Sequence, residues 1–114
     1  MTTHKSLRSL RVFDSTLSVI RELAPLVRLI AQHDSSLADQ VRRAASSIAL
    51  NLNEGNASQG GNRRKQFFLA LGSTREVRGA LATAEAWGYI SNSAKLDHQL
   101  DAISAMTWRL SQTG

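Results

Sequence analysis

Residues 34–55, DSSLADQVRRAASSIALNLNEG, contain a whole helix with both of its ends. Leu37, Val41, Ala44, Ile48 and Leu52 recur in steps of three and four, which places them on one face of a 3.6-residue helix. Ala45 and Ala49 lie beside that stripe and are small enough to admit a second helix at close range. Asp34, Ser35 or Ser36 caps the start, Asp39 is expected in the first turn where an acid complements the dipole, and Gly55 is expected just past the end as a C′ residue. A helix with one apolar face has to bury it against other helices, so its neighbours decide the architecture.

Upstream, Leu10, Phe13, Leu17, Ile20, Ala24, Val27 and Ala31 form a first helical stripe, and Val12, Val19, Leu23, Leu26 and Ile30 widen it beyond what one bundle covers. Pro25 should kink this helix, because it lacks a backbone donor and crowds the preceding turn. Downstream, Asn56 to Asn62 has the composition of a flexible surface loop. A third helix follows with Phe67, Ala70, Thr74, Val77, Leu81 and Ala84 on one face. Gly72 and Gly79 sit seven apart inside it; each costs about 1 kcal/mol relative to alanine, which suggests close backbone contact with a neighbour. Gly88 stops it, Ser91, Asn92 or Ser93 opens the fourth, and Leu96, Leu100, Ile103, Met106 or Thr107, and Leu110 form the last stripe. Helices over about 8–32, 35–54, 63–87 and 93–111, joined by short connections, predict one all-α, up-and-down antiparallel four-helix bundle spanning 1–114.

The composition agrees: 114 residues suit one core, and one proline, few aromatics and 42% hydrophobic residues suit packed helices. The absence of cysteine excludes disulfides, thiolate metal sites and thiol nucleophiles. His4, His33 and His98 show no metal-ligand or triad spacing, and there is no HExxH, phosphate-binding glycine loop or paired Glu-x-x-His, so neither catalysis nor a cofactor is expected. The basic, polar N-terminus is not followed by a signal-peptide core, and no run is long enough to cross a bilayer, so a cytoplasmic location is expected.

Fourteen Lys and Arg against nine Asp and Glu give a formal charge of +5, with arginine far outnumbering lysine. Arginine suits bidentate contact with phosphate, so an RNA or DNA partner is the first candidate. Arg64, Arg75 and Arg78 fall on one side of the third helix, and Arg63, Arg64 and Lys65 stand at its start, where cations oppose the dipole. Arg42 and Arg43 complete the phosphate-binding set. On the second helix Gln40, Arg43, Ser47, Asn51 and Glu54 form a polar row beside the apolar stripe. Glu54 opposes the dipole in the last turn and is expected to have a specific partner. Trp87, Tyr89 and Trp108 suit packing or subunit contact better than base stacking.

The run Gln40 to Gly55, with its Arg42-Arg43-Ala44, Ser47-Ile48 and Asn51-x-x-Glu54-Gly55 elements, followed by Phe68 to Glu76 and Gly88-Tyr89-Ile90, resembles the bacterial 23S rRNA intervening-sequence proteins; Phe13 fits that family's opening pattern. Asn53, where the family usually has a small residue, and the basic stretch Asn62 to Lys65 depart from the pattern. The resemblance implies a four-helix bundle assembled into a ring-like homo-oligomer, a pentamer. It also implies kinship with the accessory variability determinants of diversity-generating retroelements, which bind nucleic acid and a reverse transcriptase. The over-wide apolar face of the first helix, the polar row and the paired glycines would then serve subunit contacts. Two functions follow as expectations: a non-catalytic oligomer binding nucleic acid, RNA more than DNA, or an adaptor oligomer whose partner is a protein such as a reverse transcriptase.

Overall fold

Four helices account for nearly all of residues 7–113, which the computed structural model describes: α1 Leu7–Ala31, α2 Ser35–Ala57, α3 Gly60–Trp87 and α4 Ala94–Ser111. Each packs against its neighbours in sequence, and α1 closes on α4, as an up-and-down bundle requires. The molecule measures 47 × 21 × 19 Å, its length set by α3, whose 28 residues rise about 42 Å.

The caps explain where the chain turns. Asp34 is the N-cap of α2, its Oδ1 accepting from the Leu37 amide at 2.9 Å. Gly88, in the left-handed region at φ 79°, ends α3, and the amides of Gly88 and Tyr89 return to Glu85 O and Ala84 O. Ser93 is the N-cap of α4, but its hydroxyl donates to Glu85 Oε2 across the turn, and Asn92 Oδ1 takes the Ala94 amide instead. Asp39 falls just beyond the first turn of α2 and pairs with Arg42. Pro25 is exposed and does not end α1, which runs unbroken to Ala31.

Two boundaries differ from the sequence expectation. α2 continues through Gly55 to Ala57, and α3 begins at Gly60, so the expected seven-residue loop shrinks to Ser58 and Gln59. Gly55 is not a C′ residue but a buried helical one. A Cβ there would lie 2.6, 2.8 and 3.0 Å from Cε1, Cδ1 and Cζ of the fully buried Phe67. The glycine therefore lets an aromatic ring rest directly on the α2 backbone, which pulls α2 and α3 together right up to their turn.

The core also uses a different face of α1. Val12, Thr16, Val19, Leu23, Val27 and Ile30 are buried, whereas Leu10, Phe13, Leu17, Ile20, Ala24 and Ala31 from the expected stripe are half-exposed or exposed. Thr16 is what hides the true stripe from an apolar count. Its hydroxyl donates to Val12 O at 2.9 Å, so a polar residue sits in the core with its hydrogen bond made. α2, α3 and α4 bury the expected residues, with Thr107 rather than Met106 in the core of α4.

Candidate nucleic-acid interface

Three of the seven expected phosphate-binding cations are already engaged by the protein. Arg63 stacks its guanidinium 4.6 Å from the centroid of Phe67, donates from Nη1 to Gly55 O at 3.2 Å, and reaches Thr113 O from Nε at 3.4 Å. It thus adds a second donor to a carbonyl that the Ser58 amide also reaches, and ties Thr113 to the α2–α3 turn; partial burial holds its pKa below the usual arginine value. Arg78 forks onto Asp97, Nε to Oδ1 at 2.8 Å and Nη2 to Oδ2 at 3.2 Å, and places Nη1 3.2 Å from Asp101 Oδ1. The hydrogen bond from Arg78 holds the Asp97 carboxyl below the ordinary carboxylate range, and the same bond raises the Arg78 pKa. Arg42 pairs with Asp39 one turn earlier on α2, at 2.7 Å. Arg63 and Arg78 therefore also tie the bundle together: two N–H groups of Arg63 and three of Arg78 are used within it, which leaves fewer for a phosphate than the unpaired cations offer.

Arg43, Arg64, Lys65 and Arg75 are exposed and, among the described residues, have no ion-pair or hydrogen-bond partner for their side chains. They do not form one continuous track. Arg43 lies 14 residues before the end of α2, about 21 Å along the helix from the turn that carries Arg64 and Lys65.

The antiparallel topology produces a grouping that spacing along single helices does not reveal. It brings the start of α1 and the end of α4 to the α2–α3 turn, so Arg8, Arg11 and Arg109 join Arg63, Arg64 and Lys65 at one end of the bundle. Among the described residues only Asp14 and Glu54 are acidic there. The opposite end carries the ion-paired residues Arg42, Arg78, Asp39, Asp97 and Asp101, together with Glu22, which accepts from Gln99 Nε2 at 3.0 Å and faces Lys95 Nζ at 3.4 Å. The hydrogen bond from Gln99 holds Glu22 below its ordinary pKa. Arg8 and Arg11 on α1 and Arg109 on α4 escape a sequence reading because they lie about 100 residues apart; only the order of the helices collects them.

The polar row of α2 divides in two. Ser73 on α3 donates to Ser47 Oγ at 2.8 Å, and Asn51 Nδ2 lies 2.9 Å from both Ser47 O and Ser47 Oγ, a half-buried cluster joining α2 to α3. Gln40, Arg43 and Glu54 are exposed, and the Glu54 carboxylate has no partner among the described residues, so the expected bond to it is not made within the chain. Gly72 and Gly79 are likewise exposed, and a Cβ at either would meet nothing within 4 Å, so no helix of the same chain approaches them. The half-exposed stripe of α1 borders a groove of about 200 Å³ against α2, lined by Ile20, Ala24, Val27, Ala45 and Ser46 among others.

The aromatics gather at both ends. His33, Tyr89 and Trp87 stack in sequence, with centroids 4.8 and 6.2 Å apart, where the α1–α2 and α3–α4 turns meet. Near the basic end Phe68 and Trp108 face each other across α3 and α4 at 6.0 Å. The described residues contain no group of three or more His, Asp or Glu close enough to hold a metal ion, and no helix long and apolar enough to cross a membrane.

The fold and this surface define an antiparallel four-helix bundle with one basic end. The chain belongs to the family of 23S rRNA-intervening sequence proteins, which matches it over residues 8–109. A crystal structure of a protein of unknown function from the S23 ribosomal protein family, from Bacteroides thetaiotaomicron, is similar to it with a TM-score of 0.85. The two are 18% identical, and the similarity covers 94% of this chain and 100% of the other, which establishes the shared fold. No curated protein matches the sequence.

Proposed function

We propose that this protein is a non-catalytic, self-associating nucleic-acid-binding protein that takes RNA in preference to DNA through its basic end. The observation that carries the reading is the segregation of charge: unpaired Arg64 and Lys65 stand with Arg8, Arg11 and Arg109 at one end, while the acids of the other end are largely held in ion pairs. Exposed, unpaired cations retain their hydration and counterions and exchange them for phosphates at little cost, which is the basis of sequence-independent binding. Arg75 extends this surface along α3, while Arg43 stands apart from it on α2. The family's tie to inserts in ribosomal RNA supports RNA as the first ligand to test.

Self-association is supported by the stripe of Leu10, Phe13, Leu17 and Ile20, which the bundle leaves half-covered. A further helix would bury it, and five copies is the number that the resemblance suggests. The open backbone at Gly72 and Gly79 and the unpartnered Glu54 are available to such contacts.

The test is binding of a short single-stranded RNA across a salt series, with the mass followed by light scattering. The logarithm of affinity should fall with the logarithm of salt with a slope of about −0.7 for each phosphate neutralised. Replacing Arg64, Lys65 and Arg75 by alanine should flatten the slope by about two units without unfolding the protein. Binding that ignores salt, or no binding at low salt, removes the proposal.

A second reading, an adaptor oligomer whose partner is a protein such as a reverse transcriptase, is favoured by Leu50, 65% exposed in mid-helix beside the polar row. Glu54→Ala separates the two. Loss of oligomer mass with unchanged RNA affinity assigns Glu54 to subunit contact, and selective loss of a protein partner assigns it to the adaptor surface.

A further inference from the structure

The reading above assigns affinity to cations alone and leaves two exposed aromatic rings unused. Trp108 is 51% exposed and Phe68 42%, and they face each other with ring planes tilted by 43°. The core does not need them, since Phe67, the residue next to Phe68, already fills it with no exposure at all. Arg64, Phe68, Leu71 and Arg75 follow one another along α3 at i, i+4, i+7 and i+11, a single line on the side that faces α4. The two unpaired arginines thus bracket the ring pair about 16 Å apart along the helix axis. From Gly60 to Arg75 on α3 and from Ala102 to Ser111 on α4 there is no carboxylate side chain; beyond them Asp97 and Asp101 are held by Arg78, and Glu76 is exposed.

From this juxtaposition we infer that Trp108 and Phe68, between Arg64 and Arg75, form a base-stacking subsite that makes the protein select single-stranded over double-stranded nucleic acid. The inference rests on the nucleic-acid reading and adds to it the form of the ligand. A flat ring with anions on both sides is what an unpaired nucleotide presents; in a duplex the bases are stacked on one another and cannot reach Trp108. Every base has a π-face, so such a site is indifferent to sequence. A second copy of this chain is the competing occupant, because Asp14, Glu54 and Glu76 are exposed and outside the ion pairs; the mass measurement below separates the two.

The experiment uses the full chain carrying Trp87→Phe, which leaves Trp108 as the only tryptophan; Trp87 is at the far end of the bundle and largely exposed. Three probes are titrated at one salt concentration: a twelve-nucleotide single-stranded RNA, the duplex of the same sequence, and heparin. The single strand should quench Trp108 fluorescence, while duplex and heparin bind without quenching. Trp108→Leu should weaken the single strand by roughly ten-fold or more and leave heparin unchanged. Single-stranded RNA that binds without quenching overturns the stacking subsite and leaves the basic-end proposal standing; failure of all three probes to bind removes both. A fluorescence change that follows protein concentration in the absence of RNA, with reduced mass in Trp108→Leu, assigns the patch to a subunit contact and also overturns the inference. If Trp108→Leu does not fold, the quenching comparison decides alone.

Discussion

Replacing Gly55 by alanine sets two opposing effects against each other. Gly55 is helical with no positive φ, so the substitution gains about 1 kcal/mol of helix propensity. The new methyl, however, would sit 2.6 Å from Phe67 Cε1 and 2.8 Å from Cδ1. The ring cannot swing away freely, because it is fully buried and Arg63 lies over it at 4.6 Å. Overpacking of this kind costs about 1–3 kcal/mol, so the clash prevails and Gly55→Ala should lose about 1 kcal/mol net. At this chain length that is a fall of about 4 °C in Tm, measurable by circular dichroism at 222 nm. Gly72→Ala is the matched control, with the same helical gain and nothing within 4 Å of its Cβ; it should be more stable by up to about 1 kcal/mol. In a Phe67→Leu background the clash is relieved, and Gly55→Ala should change from destabilising to stabilising. A Gly55→Ala protein as stable as Gly72→Ala would refute the Gly55–Phe67 contact and, with it, the closeness of α2 to α3 at the turn.

Other substitutions separate structure from binding. Arg63→Ala should destabilise the fold by about 1–2 kcal/mol in urea unfolding, since it uncovers Phe67 and removes the hydrogen bonds to Gly55 O and Thr113 O, whereas Arg64→Ala should stay within about 0.5 kcal/mol of the parent and lose RNA affinity instead. The Asp97 pKa is lowered in the folded state, so its contribution to stability is present above the unfolded carboxylate value and is lost as pH falls through the folded one; acid titration of Tm should show this loss, and Arg78→Ala should reduce it. Ile20→Glu places a charge on the half-covered stripe of α1, which should reduce the mass seen by light scattering while leaving the helical content unchanged.

The four helices were legible because three- and four-residue steps in α2, α3 and α4 coincide with the burial that packing imposes. α1 was misleading for a physical reason. It has two adjacent apolar stripes, and the buried one includes Thr16, whose hydroxyl is satisfied by its own helix and so costs little to bury. Gly55 was read from a general preference of helix ends, although glycine also serves wherever a ring must touch a backbone, and the sequence does not say which use applies until Phe67 is placed on it. At the candidate site the exposed cations of α3 were legible, because a charge at a helix start that opposes the dipole invites another explanation. The commitment of Arg63 and Arg78 was not, since their partners Gly55, Thr113, Asp97 and Asp101 lie between 8 and 50 residues away.

The segregation of charge along the 47 Å axis acquires a further meaning under rotational symmetry. Any closed assembly that repeats the bundle about an axis parallel to its length brings all copies of the basic end to the same rim. Positive charge on that rim then grows in proportion to the number of subunits, and so does their mutual repulsion, which the buried stripes between subunits have to offset. A polyanion laid across the rim relieves that repulsion. In an assembly of this kind ligand and ring stabilise each other, so its subunits should hold together at higher salt or greater dilution when the rim is occupied than when it is bare.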